Sequence, residues 1–461
     1  MEGNSQKTAN TLVFDNTSAW RLLWKMSIPS VITTLVMLVY NMADVFFIGQ
    51  TNDSMQVAAV SLCGPVFSML SALGMLLGNG GLIRGATLFG EGKKDQVRSV
   101  SAFCFWGAVF TGVLVSLGIL VAKNSILRLL GASEQTVGFA GSYLSIMACG
   151  APLMMFCQSF SSLLRADGRV KEPMYGNIIG TVTNIVLDPI FILVFGWGVS
   201  GAAIATVVAN AINAIYLLWL VNNKPVFSIN PRDIRFKWDS TGAVLILGFP
   251  MAISTLLTSF SGVLNNNILA SYGDVFIAAN GVASKLRMVV NMIVMGICMG
   301  IQPAISYYHG AREHKKMSLL LKSTALTTVI IGSIIAALNI LMRDTLVSIF
   351  IDDPDVIRYG RQMVTCSMLS GPFQGIYQLS TTFLQATGNF ILATGMAILR
   401  QVVFVPILLL CNLMFGFDGL VFSSSISTIL CTLIGVAVCF IWIKKIRTQN
   451  PDEKTNQISK L

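Results

Sequence analysis

The sequence predicts an all-α polytopic membrane protein, with twelve transmembrane helices in two six-helix lobes related by a parallel internal repeat. Four observations carry that expectation. Hydrophobic residues make up 54% of the 461 and charged residues only 11%, with a mean hydropathy of +0.72. Soluble domains carry about 25% charged residues, which argues against a water-soluble enzyme. Apolar runs near twenty residues recur from end to end, the length needed to cross a bilayer core of about 30 Å. Basic residues collect in alternate loops, and the two halves of the chain align at an offset of about 220 residues.

Taken in order, the apolar runs place spans near 26–48, 57–81, 100–122, 138–163, 175–195 and 199–221. A second set follows near 243–271, 277–305, 320–342, 362–385, 390–414 and 418–443. With the N-terminus inside, the inward loops hold Arg84, Lys93, Lys94 and Arg98, then Arg165, Arg169 and Lys171. Lys224, Arg232, Arg235 and Lys237 come next, followed by Arg312, Lys315, Lys316 and Lys322. Together with both tails, these make 23 of the 31 basic residues. Lys123, Arg128, Arg343, Arg358 and Arg361 face outward. This asymmetry follows the positive-inside rule, so both termini are expected in the cytoplasm of a multi-pass cell-membrane protein. Residues 1–16 lack the pattern of a cleaved signal, and the first span is expected to serve as the insertion signal.

The net charge of +10 does not form one basic stripe, which speaks against a nucleic-acid partner. The nine cysteines all fall within apolar stretches and form no CxxC pair, as expected of small apolar packing residues. The repeat matches Leu164-Arg165-Ala166-Asp167-Gly168 with Leu384-Gln385-Ala386-Thr387-Gly388. It also matches Phe195-Gly196 with Phe415-Gly416, Gln158 with Gln378 and Gly90 with Gly310. Ile28-Pro29 matches Phe249-Pro250 one residue out of phase. The expected division is 1–228 for the first lobe, 229–446 for the second and 447–461 for a cytoplasmic tail, with the polar 222–241 segment as linker. An even number of spans per half gives both halves one orientation, the arrangement in which paired lobes enclose a cavity that opens by rocking.

Carboxylates within a bilayer are costly, by roughly 2.5–3.5 kcal/mol on insertion scales, and two stand out. Asp44 lies on the first span, near Met37, Tyr40 and Asn41. Asp188 ends a fifth-span run of Asn177, Thr181, Asn184 and Asp188, a spacing that stacks on one helix face. On the sixth span Thr206, Asn210 and Asn213 repeat that spacing. Carboxylates, amide oxygens and a hydroxyl form a ligand set for a hard monovalent cation such as Na+. Pro189 adds a carbonyl, that of Ile185, which loses its helical donor. The same carboxylates could instead hold a proton, and the amide-bearing faces could simply bond helix to helix. At the repeat offset Asn184 maps to Phe404, Asp188 to Leu408 and Thr206 to Ile426, so ion coupling is expected in the first half alone. The second half instead places cations in its spans. Lys285 shares a stripe with Met288, Met292, Met295 and Met299, Arg400 sits near mid-span beside Gln401, and Arg287 is expected to snorkel outward. A substrate cavity is expected between the lobes. Its candidate residues are Tyr40, Asn41, Gln158, Asn177, Asn210, Lys285, Met288, Met292, Met295, Gln378 and Arg400.

Pro29 fifteen residues before Asp44, the stretches Thr181–Phe191 and Gly201–Asn210, GIQPAISYYHGA over Gly300–Ala311, and the LRADG/LQATG pair together resemble the multidrug and toxic compound extrusion (MATE) family. The likeness covers almost the whole chain and is greatest to its DinF-like or MepA-like branch. The resemblance implies a V-shaped two-lobe antiporter that exports organic cationic and amphipathic compounds against Na+ or H+ entry. It implies a cation site at Asp44, Asn184, Asp188 and Thr206, and a hinge at Pro29. NorM-like members carry an acidic residue on the seventh helix, where this chain has Thr258 and Ser259, so a second-lobe coupling site is not expected. No other cofactor is implied, and a monomer is expected.

Two other classes fit the sequence less well. A lipid-linked oligosaccharide flippase of related architecture could use Lys285 and Arg400 to receive a pyrophosphate, but the acidic cluster fits cation-coupled export better. An intramembrane prenyl-transferase-like enzyme is suggested only by Asp352-Asp353-Pro354-Asp355, which reads more simply as an acidic helix start. Neither an HExxH site nor a phosphate-binding GxxxxGK[ST] loop occurs, so no enzyme activity is expected.

Overall fold

In a computed structural model the chain is helical throughout its membrane portion. The structure describes residues 14, 18–51, 53–223, 226–350 and 353–448. Six helices build the first lobe: α1 (Ala19–Gly49), α2 (Ser54–Gly90), α3 (Lys94–Leu129), α4 (Val137–Leu163), α5 (Lys171–Pro189) and α6 (Gly198–Asn222). The second lobe contains α7 (Ala243–Ala270), α8 (Asp274–Gly310), α9 (His314–Leu341), the short α10 (Arg343–Phe350), α11 (Pro354–Met368), α12 (Gly371–Ala386) and α13 (Phe390–Thr448). The tenth crossing starts earlier than its apolar run suggests. It is α11 followed by α12, because the half-polar Pro354–Arg361 stretch continues the helix outward. The last two crossings share α13, which breaks at Gly416.

Local chemistry sets the boundaries. Asp53 caps α2 by accepting from the backbone N–H of Met55 at 2.9 Å, and Asp353 caps α11 by accepting from Asp355 and Val356. The acidic Asp353-Pro354-Asp355 run is therefore a helix start; Asp352 lies outside the described residues. The repeated LRADG and LQATG segments end at Gly168 and Gly388, and the repeated Phe-Gly pairs at Gly196 and Gly416, all four with positive φ. A side chain there would strain the left-handed backbone, which is why the repeat is legible at these places. After Pro189, α5 continues as one wider turn over Ile190–Val194. Pro29 lies inside α1 without breaking it, though its ring leaves the carbonyl of Lys25 without a helical donor.

The lobes meet through α1 against α8 and α2 against α7, a pairing that the internal twofold relates to itself. Backbones touch where glycines occur. A Cβ on Gly90 would fall 2.2 Å from the Tyr307 carbonyl oxygen, and one on Gly310 would fall 2.3 Å from that of Thr87. Residues 87 and 307, like 90 and 310, are repeat partners. Gly80 likewise abuts Val244 and Gly248, while Gly300 abuts Met26 and Ser27. These contacts sit toward the basic-loop end of the bundle, so the lobes are sealed there. Phe14 belongs to the same seal. It stacks on Tyr307 with ring centroids 4.5 Å apart and accepts a hydrogen bond from the Tyr308 hydroxyl through its carbonyl.

The linker is an ordered strap on α3. Ser101 Oγ donates to the Ser228 carbonyl at 2.9 Å, the backbone N–H of Arg235 donates to Ser99 Oγ at 2.9 Å, and Trp106 donates to the Ile229 carbonyl at 3.0 Å. Asp233 accepts from Ser228 at 2.5 Å and pairs with Arg98 at 3.2 Å.

Candidate ion site and substrate cavity

The acidic residues come together in the first lobe. Asn184 and Asp188, one helical turn apart on α5, are both 0% exposed, and Asn184 Nδ2 donates to Asp188 Oδ1 at 3.2 Å. Asp44 on α1 brings its carboxyl beside Asp188, Asn184 and Tyr40. From α6, Thr206 shares a hydrogen bond of 3.2 Å with the Tyr40 hydroxyl. Three oxygens here are buried and unpartnered: Asp44 Oδ1, Asn184 Oδ1 and Asp188 Oδ2. Unsatisfied buried acceptors are costly, and adjacent carboxylates cannot both stay charged without compensation. Positive charge, as a cation or as a shared proton, would satisfy this arrangement. Among the described residues no group of three His, Cys, Asp or Glu is placed to hold a metal ion together. Tyr143 on α4 also borders both carboxyls; no spacing rule pointed to it.

A cavity of about 190 Å³ opens beside this site. Tyr40, Gln158, Asn177, Asn210 and Met295 line it, as the sequence suggested, together with Thr181, Asn213 and Met299. Its wall is mostly first-lobe, and α8 contributes only Met295 and Met299. Tyr40 belongs to both places, facing the cavity while bonding Thr206. Asn177 accepts from Ser161 and from Asn213, each at 3.4 Å, and Asn210 donates to the Thr206 carbonyl at 2.8 Å. Asn177 therefore ties α5 to α4 and α6 while lining the cavity, whereas the Asn210 amide bonds back to its own helix.

Several expected cavity residues lie elsewhere. Asn41 bonds the Met37 carbonyl of its own helix at 2.8 Å. Gln378 is half-buried on α12, away from the cavity, because the cavity does not lie on the twofold axis that equates it with Gln158. Met288 and Met292 lie outside the cavity wall, and the Met292 carbonyl accepts from Thr34 across the α1–α8 contact. Lys285 is exposed, whereas Arg287, expected at the outer surface, is half-buried and donates to Ser284 and Ser424. Arg400 is held within the second lobe by Gln374 at 3.3 Å and by the Tyr377 ring 4.7 Å away. Arg165, assigned from sequence to an inward loop, is instead buried in the cavity wall, because α4 runs on into a tight turn over Leu164–Asp167.

The MatE family model matches the chain twice, over residues 29–190 and 250–410, one match in each lobe. The chain belongs to the MatE family. It is a MATE transporter, not an enzyme. The multidrug export protein MepA of Staphylococcus saprophyticus is 30% identical over 429 residues, 93% of this chain and 95% of its own. MepA of Staphylococcus aureus is 29% identical over the same share. A MATE transporter of the MOP superfamily in an outward-facing conformation shares the fold with a TM-score of 0.90 at 22% identity, over 95% of this chain and 99% of that one. The Vibrio cholerae MATE transporter VcmN in its bent form does so with a TM-score of 0.87 at 22% identity, covering 93% and 98%.

Proposed function

We propose that this MATE transporter is a secondary multidrug efflux antiporter of the cell membrane, exporting organic cationic and amphipathic compounds in exchange for Na+ or H+. The three unpartnered oxygens of Asp44, Asn184 and Asp188 carry the reading. An entering ion supplies the positive charge that they lack, and the Thr206 hydroxyl completes the set. Tyr40 links that event to the cavity, since it borders Asp44, bonds Thr206 and forms part of the cavity wall. Helix α1 is the element to move. It bears Asp44 and Tyr40, it contains Pro29, and it holds the second lobe through Ser27 and Thr34, whose hydroxyls donate to the Ile297 and Met292 carbonyls. With the basic loops in the cytoplasm, a seal at that end leaves the cavity to open outward.

The test is dye efflux in everted vesicles with a Na+ gradient and a pH gradient imposed separately. One gradient is expected to drive export by wild type, and Asp44→Asn or Asp188→Asn, at equal expression, is expected to reduce driven export to the leak rate. Normal efflux by either variant would remove the coupling site. Flipping of a labelled lipid-linked oligosaccharide without dye efflux would favour the flippase reading instead.

A further inference from the structure

One charged side chain in the cavity has no part in that scheme. Arg165 is 9% exposed and lines the cavity. One terminal guanidinium nitrogen donates to Ser162 Oγ at 3.1 Å, while Nε is buried and unpartnered. No residue of the cavity wall is acidic. The nearest carboxylate in sequence, Asp167, is engaged by Arg169 at 2.9 Å. A guanidinium keeps its charge, and a buried charge without a counter-charge is unfavourable.

The internal repeat shows what a satisfied polar group at this place looks like. Gln385 is the repeat partner of Arg165, and its Oε1 accepts from Asn79 at 3.4 Å and from Gln302 at 3.3 Å. At the offset of 220, Asn79 and Gln302 correspond to Met299 and Leu82. The Arg165 position therefore has a permanent cation where the Gln385 position has a neutral amide, and the apolar Met299 and Leu82 where Gln385 has two amide donors, one from each lobe. The acid site is no remedy. Neither Asp44 nor Asp188 forms part of the cavity wall that Arg165 lines.

We propose that Arg165 is an anion anchor within the cavity, the residue that receives the acid group of amphipathic compounds bearing a carboxylate. The acid group pairs with the guanidinium, whose fork matches a carboxylate's two oxygens, and the apolar body lies against Met174, Met295 and Met299. The proposal rests on the cavity being the substrate site.

Two fluorescent dyes test it: a dimethylaminostyryl-pyridinium with an N-methyl group, and the same dye with an N-carboxyethyl group. Binding is measured on the purified full-length chain in phosphatidylcholine nanodiscs, without any ion gradient, so coupling plays no part. Arg165→Gln, which installs the second lobe's residue, is expected to weaken the carboxylate dye at least tenfold and to leave the N-methyl dye within twofold. Arg165→Lys, which keeps the charge and loses the fork, is expected to weaken the carboxylate dye alone by roughly three- to tenfold; it serves if Arg165→Gln does not fold. Unchanged carboxylate binding in either variant, or equal weakening of both dyes, overturns the anchor. Failure of wild type to bind either dye overturns the cavity reading and the anchor with it. Adding phosphatidylglycerol is expected to leave the carboxylate dye's affinity unchanged; a loss would assign Arg165 to a lipid phosphate and overturn the substrate assignment.

Discussion

Substituting Gly310 by alanine is expected to open the basic-loop end of the transporter. The new Cβ would sit 2.3 Å from the Thr87 carbonyl oxygen, 3.0 Å from its carbon and 3.1 Å from its Cα, all of them backbone atoms that no rotamer change can move. Ordinary contact begins near 3.4 Å, so α2 and α8 must part by about 1.1 Å at this point. Overpacking of this kind costs about 1–3 kcal/mol. Alanine also favours a helix over glycine by about 1 kcal/mol, but α8 stays helical whether the lobes are closed or parted. That gain therefore cancels between the two conformations, and only the clash acts on their ratio. At about 1.4 kcal/mol per tenfold, the sealed state should lose roughly 5- to 150-fold in population. Spin labels at exposed Lys93 and Lys315, in a cysteine-free background, report this as a second, longer distance in pulsed electron resonance. Gly281→Ala, whose Cβ meets nothing within 4 Å, is the control and should leave the distribution unchanged. An unaltered single distance in Gly310→Ala would refute the reasoning that backbone contact holds the lobes together.

Tyr40→Phe keeps the ring in the cavity wall and removes the bond to Thr206; losing a hydrogen bond worth about 0.5–1.5 kcal/mol should slow gradient-driven efflux roughly two- to tenfold, and an unchanged rate would dissociate Tyr40 from coupling. The strap on α3 should release in acid. The Ser228 hydroxyl, and then Arg98, hold the Asp233 carboxyl below the usual carboxylate range. Its contribution is therefore present above the unfolded value of about 3.9 and is lost as pH falls through the lower folded value. Hydrogen exchange at 226–237 should accelerate over that interval, and Ser228→Ala should move the onset to higher pH.

Composition and periodicity were enough for twelve crossings, because a bilayer leaves the backbone no partners but its own and so forces apolar helices of fixed length. The duplication was legible because Gly168, Gly388, Gly196 and Gly416 take backbone angles that other residues resist. The stacking of Asn184 on Asp188 could be read from i, i+4 spacing alone, since neighbours on a helix face are local. Asp44 was legible as a cost needing a reason, and as a member of one site with Asp188 only through the family resemblance, since their meeting depends on how α1 packs against α5. The position of the cavity was legible only in part, through Tyr40, Gln158, Asn177, Asn210 and Met295. Repeat symmetry makes Gln158 and Gln378 equivalent in sequence, yet the space lies mostly against the first lobe, because side-chain volume summed over the packed helices sets where packing fails. Arg165 and Lys285 exchanged depth for a related reason. Hydropathy averages over a window and gives the height of a residue in the membrane; which way its side chain faces is set by where the helix rotates to bury its neighbours. What no window can sense is the absence of a partner; the unpartnered atoms of Asp44, Asn184, Asp188 and Arg165 emerge only from the packed structure, which leaves a few others, such as Ser159 Oγ and Asn213 Oδ1, in the same state.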